Sequence, residues 1–146
     1  MILQRRLPPN SQSAVLGDLP LTATERTRTR TRYHWSQGDI VYLQLPRGTV
    51  LNHGDLLQSD TGQDLVRVIA KPEPVFTVTA DNALDLLRTA YHLGNRHVPL
   101  EITATYLRLS PDPVLKTLLV DHLQVNLLEE LAPFCPETGA YHHHHG

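Results

Sequence analysis

Lys71-Pro72-Glu73-Pro74 divides this chain into two unlike halves. A proline locks its own φ, lacks an amide hydrogen and biases the residue before it toward extended backbone. Two prolines within three residues therefore predict a hinge over 71–74. Short strand-like segments precede it, and alternating strand and helix patterns follow. The predicted organisation is a β-rich domain over 1–70, the hinge, an α+β domain over 75–134, and a tail over 135–146. That tail is rich in Pro, Gly and His, and is expected to be disordered without metal. Charge divides the same way: residues 1–70 hold eight Arg against six acids, and residues 71–146 hold five Lys or Arg against nine acids.

In the first half, Arg26-Thr27-Arg28-Thr29-Arg30-Thr31-Arg32 alternates with period two. As a strand it would carry guanidinium groups on one face and threonines on the other, which suits a sheet edge kept soluble by charge or a docking face for acidic partners. Asp39 to Leu45 predicts a core strand closed by the turn Pro46-Arg47-Gly48. His53-Gly54-Asp55 is a second turn signal. Asp60-Thr61-Gly62 joins Asp55–Gln58 to Leu65–Ile69 as a hairpin. This half reads as all-β.

After the hinge, Val75 to Thr79 is a β-branched strand. Ala83, Leu86, Leu87 and Ala90 then recur at helical spacing as a core stripe, with Asp85, Arg88, Thr89 and His92 on the opposite side. Asp81 or Asn82 can cap the start of this helix, and Gly94 can close its end in the left-handed conformation, so it is predicted from about Asn82 to Leu93. Leu100–Thr103 and Tyr106–Leu109 are strands. Asp112 and Pro113 open a second helix running to about Leu123, and Gln124–Leu131 is a last strand. The order β-α-β-β-α-β predicts a ferredoxin-like sandwich and an α+β fold class for the chain.

Composition excludes several classes. No run approaches the ~20 apolar residues of a membrane span. Arg5, Arg6, Pro8 and Pro9 stand where a signal peptide would be apolar, so a cytoplasmic protein without membrane contact is expected. The formal net charge of −2 implies no pull toward nucleic acid. Cys135 is the only cysteine, which excludes an internal disulfide framework and any Cys-x-x-Cys zinc site. The chain lacks His-Glu-x-x-His, Gly-x-Ser-x-Gly and a glycine-rich phosphate loop, so no enzyme is indicated.

The residues that could carry chemistry are histidines. Tyr91-His92-Leu93-Gly94-Asn95-Arg96-His97 places an imidazole just beyond a helix end, and His142, His143, His144 and His145 nearly close the chain. Imidazole suits nickel, copper and zinc, but tight binding needs several converging ligands. A lone His97 cannot supply them; a twofold homodimer could, by bringing the same residue from each chain to the axis. Two His97 rings, completed by tail histidines or water, would form an open, exchangeable site for Ni2+, Cu2+ or Zn2+ alike. About one tightly held ion per dimer is expected. Affinity should weaken on acidification through the range in which imidazoles take up protons.

Three segments resemble the UreE family of urease accessory proteins, nickel metallochaperones of urease maturation. Leu45-Pro46-Arg47-Gly48-Thr49-Val50-Leu51 with Gly54-Asp55-Leu56-Leu57 is similar to the family's first domain. Tyr91-His92-Leu93-Gly94-Asn95-Arg96-His97-Val98-Pro99-Leu100 resembles its most specific motif. Pro133-Phe134, Pro136-Glu137 and Gly139-Ala140-Tyr141, followed by histidines, resemble its closing signature. The resemblance implies a first domain similar to the peptide-binding domain of certain chaperones and a ferredoxin-like domain that dimerises and binds metal. It makes His97 the interface nickel ligand, and it implies as partners the urease apoprotein and its accessory proteins, including the GTPase UreG. Ser110-Pro111-Asp112-Pro113 stands where some members carry histidines, and the His run is short, so low storage capacity is expected.

The remaining candidates have plainer readings. His92 belongs to the wet helix stripe, and His122 sits near a helix end where it can compensate the dipole. His34 and His53 are assigned no role, and Cys135 is incidental. The terminal histidines could be a cloning remnant, but the preceding Gly139-Ala140-Tyr141 favours a native tail. The competing function is a ferredoxin-like RNA- or protein-binding adaptor with incidental metal binding, since such folds bind RNA through strand aromatics, here Phe76 and Tyr106.

Overall fold

The structure, a computed structural model, describes residues 1–9, 14–35 and 38–137. The chain folds as two compact units, Met1–Lys71 and a second beginning at Pro72. No helix among the described residues is long and apolar enough to cross a membrane.

The first unit is all-β. Its strands are β1 (Ile2–Leu7), β2 (Gly17–Leu21), β3 (Arg30–His34), β4 (Ile40–Gln44), β5 (Leu56–Ser59) and β6 (Leu65–Ala70), in one sheet of order β2-β6-β5-β1-β4-β3. β1/β4 and β2/β6 run parallel and the other pairs antiparallel. Alternation does what the pleat requires: Val41 and Leu43 of β4 point into a core with Leu3, Leu19, Leu21, Val66 and Val68, while Tyr42 between them is exposed. Pro20 is tolerated because β2 is a sheet edge with one neighbour.

The expected hairpin is present, and β3 is the other edge, with Arg30 and Arg32 exposed. The Arg/Thr alternation is not one strand, however. Glu25–Thr27 forms a 3-10 turn, and Arg26 is only 4% exposed, its guanidinium donating to the Leu21 carbonyl at 2.8 Å. Thr22 and Glu25 explain the turn: the Glu25 carboxylate accepts from the Thr22 amide, and the Thr22 hydroxyl accepts from the Glu25 amide. That local closure outcompetes the period-two signal.

The second unit contains β7 (Glu73–Thr79), α1 (Ala83–Asn95), β8 (Glu101–Ile102), β9 (Leu107–Leu109), α2 (Pro113–Thr117) and β10 (Asn126–Ala132). The antiparallel sheet has order β10-β7-β9-β8, the ferredoxin-like 4-1-3-2 arrangement. Phe76 and Val78 of β7, with Leu107 and Leu109 of β9, form a core with Leu86 and Leu93 of α1 and with Leu119. β7 takes in Glu73 and Pro74, which the sequence assigns to the hinge. Pro74 is accommodated because β9 reaches only Phe76–Val78, leaving that end of β7 flanked by β10 alone.

Both helices differ in detail from their periodicity. Asn82 caps α1, its side chain accepting from the Asp85 amide, but Leu87, expected in the core, is 67% exposed and Thr89, expected in water, is 1% exposed. Two apolar stripes compete on this helix: Leu86-Ala90-Leu93 and Leu84-Leu87-Tyr91. The first wins because Thr89 satisfies its hydroxyl on the Asp85 carbonyl at 2.8 Å and can be buried beside it. Asp112 caps α2 as predicted, accepting from the Val114 and Leu115 amides. The helix then widens into a π turn over Leu118–His122, with the Leu123 amide reaching the Leu118 carbonyl at 2.9 Å. Leu118, Leu119 and Leu123 thereby all pack against the core.

The sheet face away from the helices is held by Arg108. Its Nε donates to Thr77 Oγ1 on β7 at 3.1 Å, and its guanidinium lies 3.8 Å from both Glu101 on β8 and Glu130 on β10. It also covers the Tyr106 ring at 4.5 Å. One side chain on β9 thus ties all four strands. Arg108→Ala should lower stability by about 1–2 kcal/mol, since it strands two largely shielded carboxylates. A urea denaturation midpoint unchanged from the parent would show that the ladder alone holds the sheet.

Candidate metal centre

The candidate centre begins where α1 ends. The His97 amide donates to the Gly94 carbonyl at 3.0 Å and the Val98 amide to the Leu93 carbonyl at 3.2 Å. These two bonds make the paired C-cap in which the residue after the last half-helical position turns left-handed. That residue is His97, with φ 57°. Gly94, expected to take this role, remains helical. The hydrophobic contact accompanying such a cap explains the choice. Ending at His97 pairs Leu93 with Val98, both in the core cluster; ending at Gly94 would pair Ala90 with Asn95.

A non-glycine residue in the left-handed region costs about 1 kcal/mol or more. His97 bears that cost while contributing nothing to the core, because its side chain is exposed. An imidazole is therefore held out in solvent on a rigid, twice-bonded turn. Exposure and rigidity together suit a ligand waiting for others. Among the described residues no group of three or more His, Cys, Asp or Glu is placed to hold a metal ion.

The other candidates disperse. His142, His143, His144 and His145 lie outside the described residues. His92 is exposed and meets the Tyr91 ring edge-on at 5.5 Å. His122 ends the π turn and lines a cavity of about 320 Å³ with Arg96, Val114, Thr117 and Leu118. His34 is exposed at the end of β3, and the His53 Nδ1 accepts from the Ala70 amide at 3.0 Å, a structural bond.

The predicted tail is docked at its start. Phe134 is buried, the Cys135 amide donates to Glu101 Oε1 at 2.8 Å, and the Glu137 amide donates to the Leu100 carbonyl at 2.8 Å. The chain leaves β10 on one edge of the sheet and reaches β8 on the other, so Pro133–Glu137 is a strap across the Arg108 face. Its anchor at Leu100 is three residues from His97. The strap and the Arg108–Glu101 pair were not singled out from sequence, though period two in Leu100-Glu101-Ile102 and Leu107-Arg108-Leu109 already sets Glu101 and Arg108 opposite the core leucines.

The first unit has its own cleft of about 410 Å³, lined by Asp18, Pro20, Glu25, Tyr33, Trp35 and Lys71 among others. Trp35 donates to the Asp18 carbonyl at 2.8 Å. Burial, and then the Glu25 charge, push the Tyr33 phenol above its ordinary range. No metal-ligand set gathers there among the described residues.

The left-handed cap makes a prediction about the metal-free protein. His97→Gly should raise unfolding free energy by roughly 0.5–1 kcal/mol, since glycine enters this conformation without the Cβ penalty. Loss of stability in that variant would mean that the imidazole serves the fold.

Comparison with known proteins supplies the lineage. Residues 3–71 match the N-terminal domain of the UreE urease accessory protein, and residues 73–146 match its C-terminal domain. A urease accessory protein UreE from Nostoc sp. is 53% identical over 99% of this chain and 98% of its own length. The corresponding proteins of Nostoc punctiforme and Thermosynechococcus vestitus are 55% and 53% identical, over 94% and 97% of this chain and 93% and 98% of their own lengths. With both domains matched in order and the full-length relatives covered nearly end to end, the chain belongs to the UreE urease accessory protein family.

Proposed function

We propose that the chain is a cytoplasmic nickel carrier that acts as a homodimer and hands its ion to the urease apoprotein in concert with its accessory proteins, including the GTPase UreG. As a member of the UreE family it is a chaperone and not an enzyme. In the proposed site two His97 imidazoles, one from each subunit, share a single Ni2+ across the twofold axis, and tail histidines among His142–His145 complete the coordination. The ion is cargo, so ligands that can leave serve better than four fixed ones.

The observation that carries this reading is His97 itself, an exposed imidazole kept at the left-handed position of a helix cap. Two further features support it. Leu84, Leu87 and Tyr91, each more than half exposed, form an apolar stripe on the helix that presents His97, a surface that a second copy would cover. The strap brings the tail to Leu100. From Glu137 to His142 is five residues, a reach of up to about 17 Å. Such imidazole sets also accept Cu2+ and Zn2+.

The RNA-adaptor reading loses its platform. Phe76 is buried beneath the helices and offers no face for base stacking, and the Arg108 guanidinium covers one face of the half-buried Tyr106 ring.

Nickel titration of the intact chain, of His97→Ala and of a version ending at Tyr141, with oligomeric state followed by light scattering, tests the proposal. We expect about one tight ion per dimer, loss of at least ~100-fold in affinity for His97→Ala, a smaller loss on removing the tail, and weaker binding at acidic pH. Several tight ions per chain, or one per monomer without dimerisation, would overturn it.

A further inference from the structure

β3 is one of the two edges of the first unit's sheet, and among the described residues β4 is the only strand paired with it. The Leu45 amide donates to the Thr29 carbonyl at 2.9 Å and the Trp35 amide to the Asp39 carbonyl at 2.7 Å, which fixes the phase of the β3/β4 ladder. In that phase Thr31 and Tyr33 bond to β4, while the N–H and C=O groups of Arg30 and Arg32 point away from it. The other edge, β2, is a poorer template for a further strand. Pro20 has no amide hydrogen, and the Asp18 carbonyl already accepts from the Trp35 indole.

The side chains of β3 sort the occupants of its edge. Arg30 and Arg32 are exposed on the outer face, about 7 Å apart along the strand, with Gln44 and Tyr42 opposite them on β4. Neither guanidinium has a carboxylate partner among the described residues. Like charges repel a second copy of the same edge, but they admit a strand that carries acids at alternate positions. Tyr33, whose side chain packs on the core side, lines the cleft of about 410 Å³ together with Trp35, Asp18 and Glu25. A residue placed beside Tyr33 meets aromatic surface and two carboxylates, which favours an apolar side chain there over an acid.

We propose that the β3 edge takes an extended acidic segment of a partner protein as an added antiparallel strand. The segment reads apolar-acid-x-acid, its residues standing opposite Tyr33, Arg32, Thr31 and Arg30 in turn. Main-chain bonds to Arg30 and Arg32 hold the strand, and the two guanidinium groups select its charge and register. Nickel and His97 play no part in this contact.

The test titrates the full chain with a short, capped synthetic peptide carrying Leu-Glu-Thr-Glu between uncharged ends. A permuted peptide with Leu-Thr-Glu-Glu puts its acids on opposite faces and serves as the control. The first should bind more tightly, and Arg30→Gln and Arg32→Gln should each weaken it by roughly two- to fivefold. Amide exchange followed by NMR should slow at Arg30 and Arg32 in the saturated complex and stay unchanged at Thr31, already bonded to β4. The double variant Arg30→Glu with Arg32→Glu should lose this peptide and gain one carrying Leu-Lys-Thr-Lys, an exchange that a misfolded variant could not produce.

Equal affinity for the two acidic peptides would overturn the proposal, as would indifference to both arginine substitutions. Binding without protection of the Arg30 and Arg32 amides would also overturn it, because side chains alone would then make the contact. A single-stranded oligonucleotide that displaces the peptide at lower concentration would mean that the arginines serve phosphates, and the acidic-segment assignment would fall.

Discussion

The contact between Leu93 and Val98 governs the proposed centre. It decides where α1 stops, because the paired cap can form only in a register that brings an apolar residue before the turn against one after it. Shifting that register back by three residues would let Gly94 turn and leave His97 somewhere in the following loop. The core's demand for Leu93 and Val98 places a histidine where glycine would cost less. Backbone cost at one residue is accepted in exchange for a side chain whose direction is set by the helix.

The opposite face of the sheet works on another principle. There the strands present polar residues, and Arg108 gathers them into a network that reaches every strand. Long N···O separations make each ion pair modest, but the largely shielded setting makes an unpaired carboxylate costly. The network also gives the segment after β10 a fixed place to land. An exposed helix stripe, a left-handed histidine and a docked strap lie in one ferredoxin-like unit, and the proposed carrier function is argued from them.

Much of this was legible in the residues. Turn signals marked β4, β5 and β6 and β-branched residues marked β7; Asn82 and Asp112 marked the helix starts by their ability to accept backbone hydrogens; and the order of elements predicted the sandwich that the sheet topology displays. Where the reading failed, two local signals were in competition. Arg26 alternates like a strand residue but sits in a turn closed by reciprocal Thr22–Glu25 hydrogen bonds. Leu87 and Thr89 exchanged places because α1 carries two apolar stripes, and periodicity ranks them only by hydrophobicity. Cys135 to Glu137 looked like tail, because a hydrogen bond to a strand 34 residues away leaves no local trace.

By itself, then, the sequence determined most of the element types, the break near Pro72 and the presence of an imidazole just past a helix end, since these depend on neighbours within a few residues. Tertiary structure alone decided which face of α1 is buried, that His97 and not Gly94 turns left-handed, and that the strap lands on Glu101. Those outcomes depend on which distant surfaces meet. Packing distinguishes between alternatives that local patterning makes nearly equal.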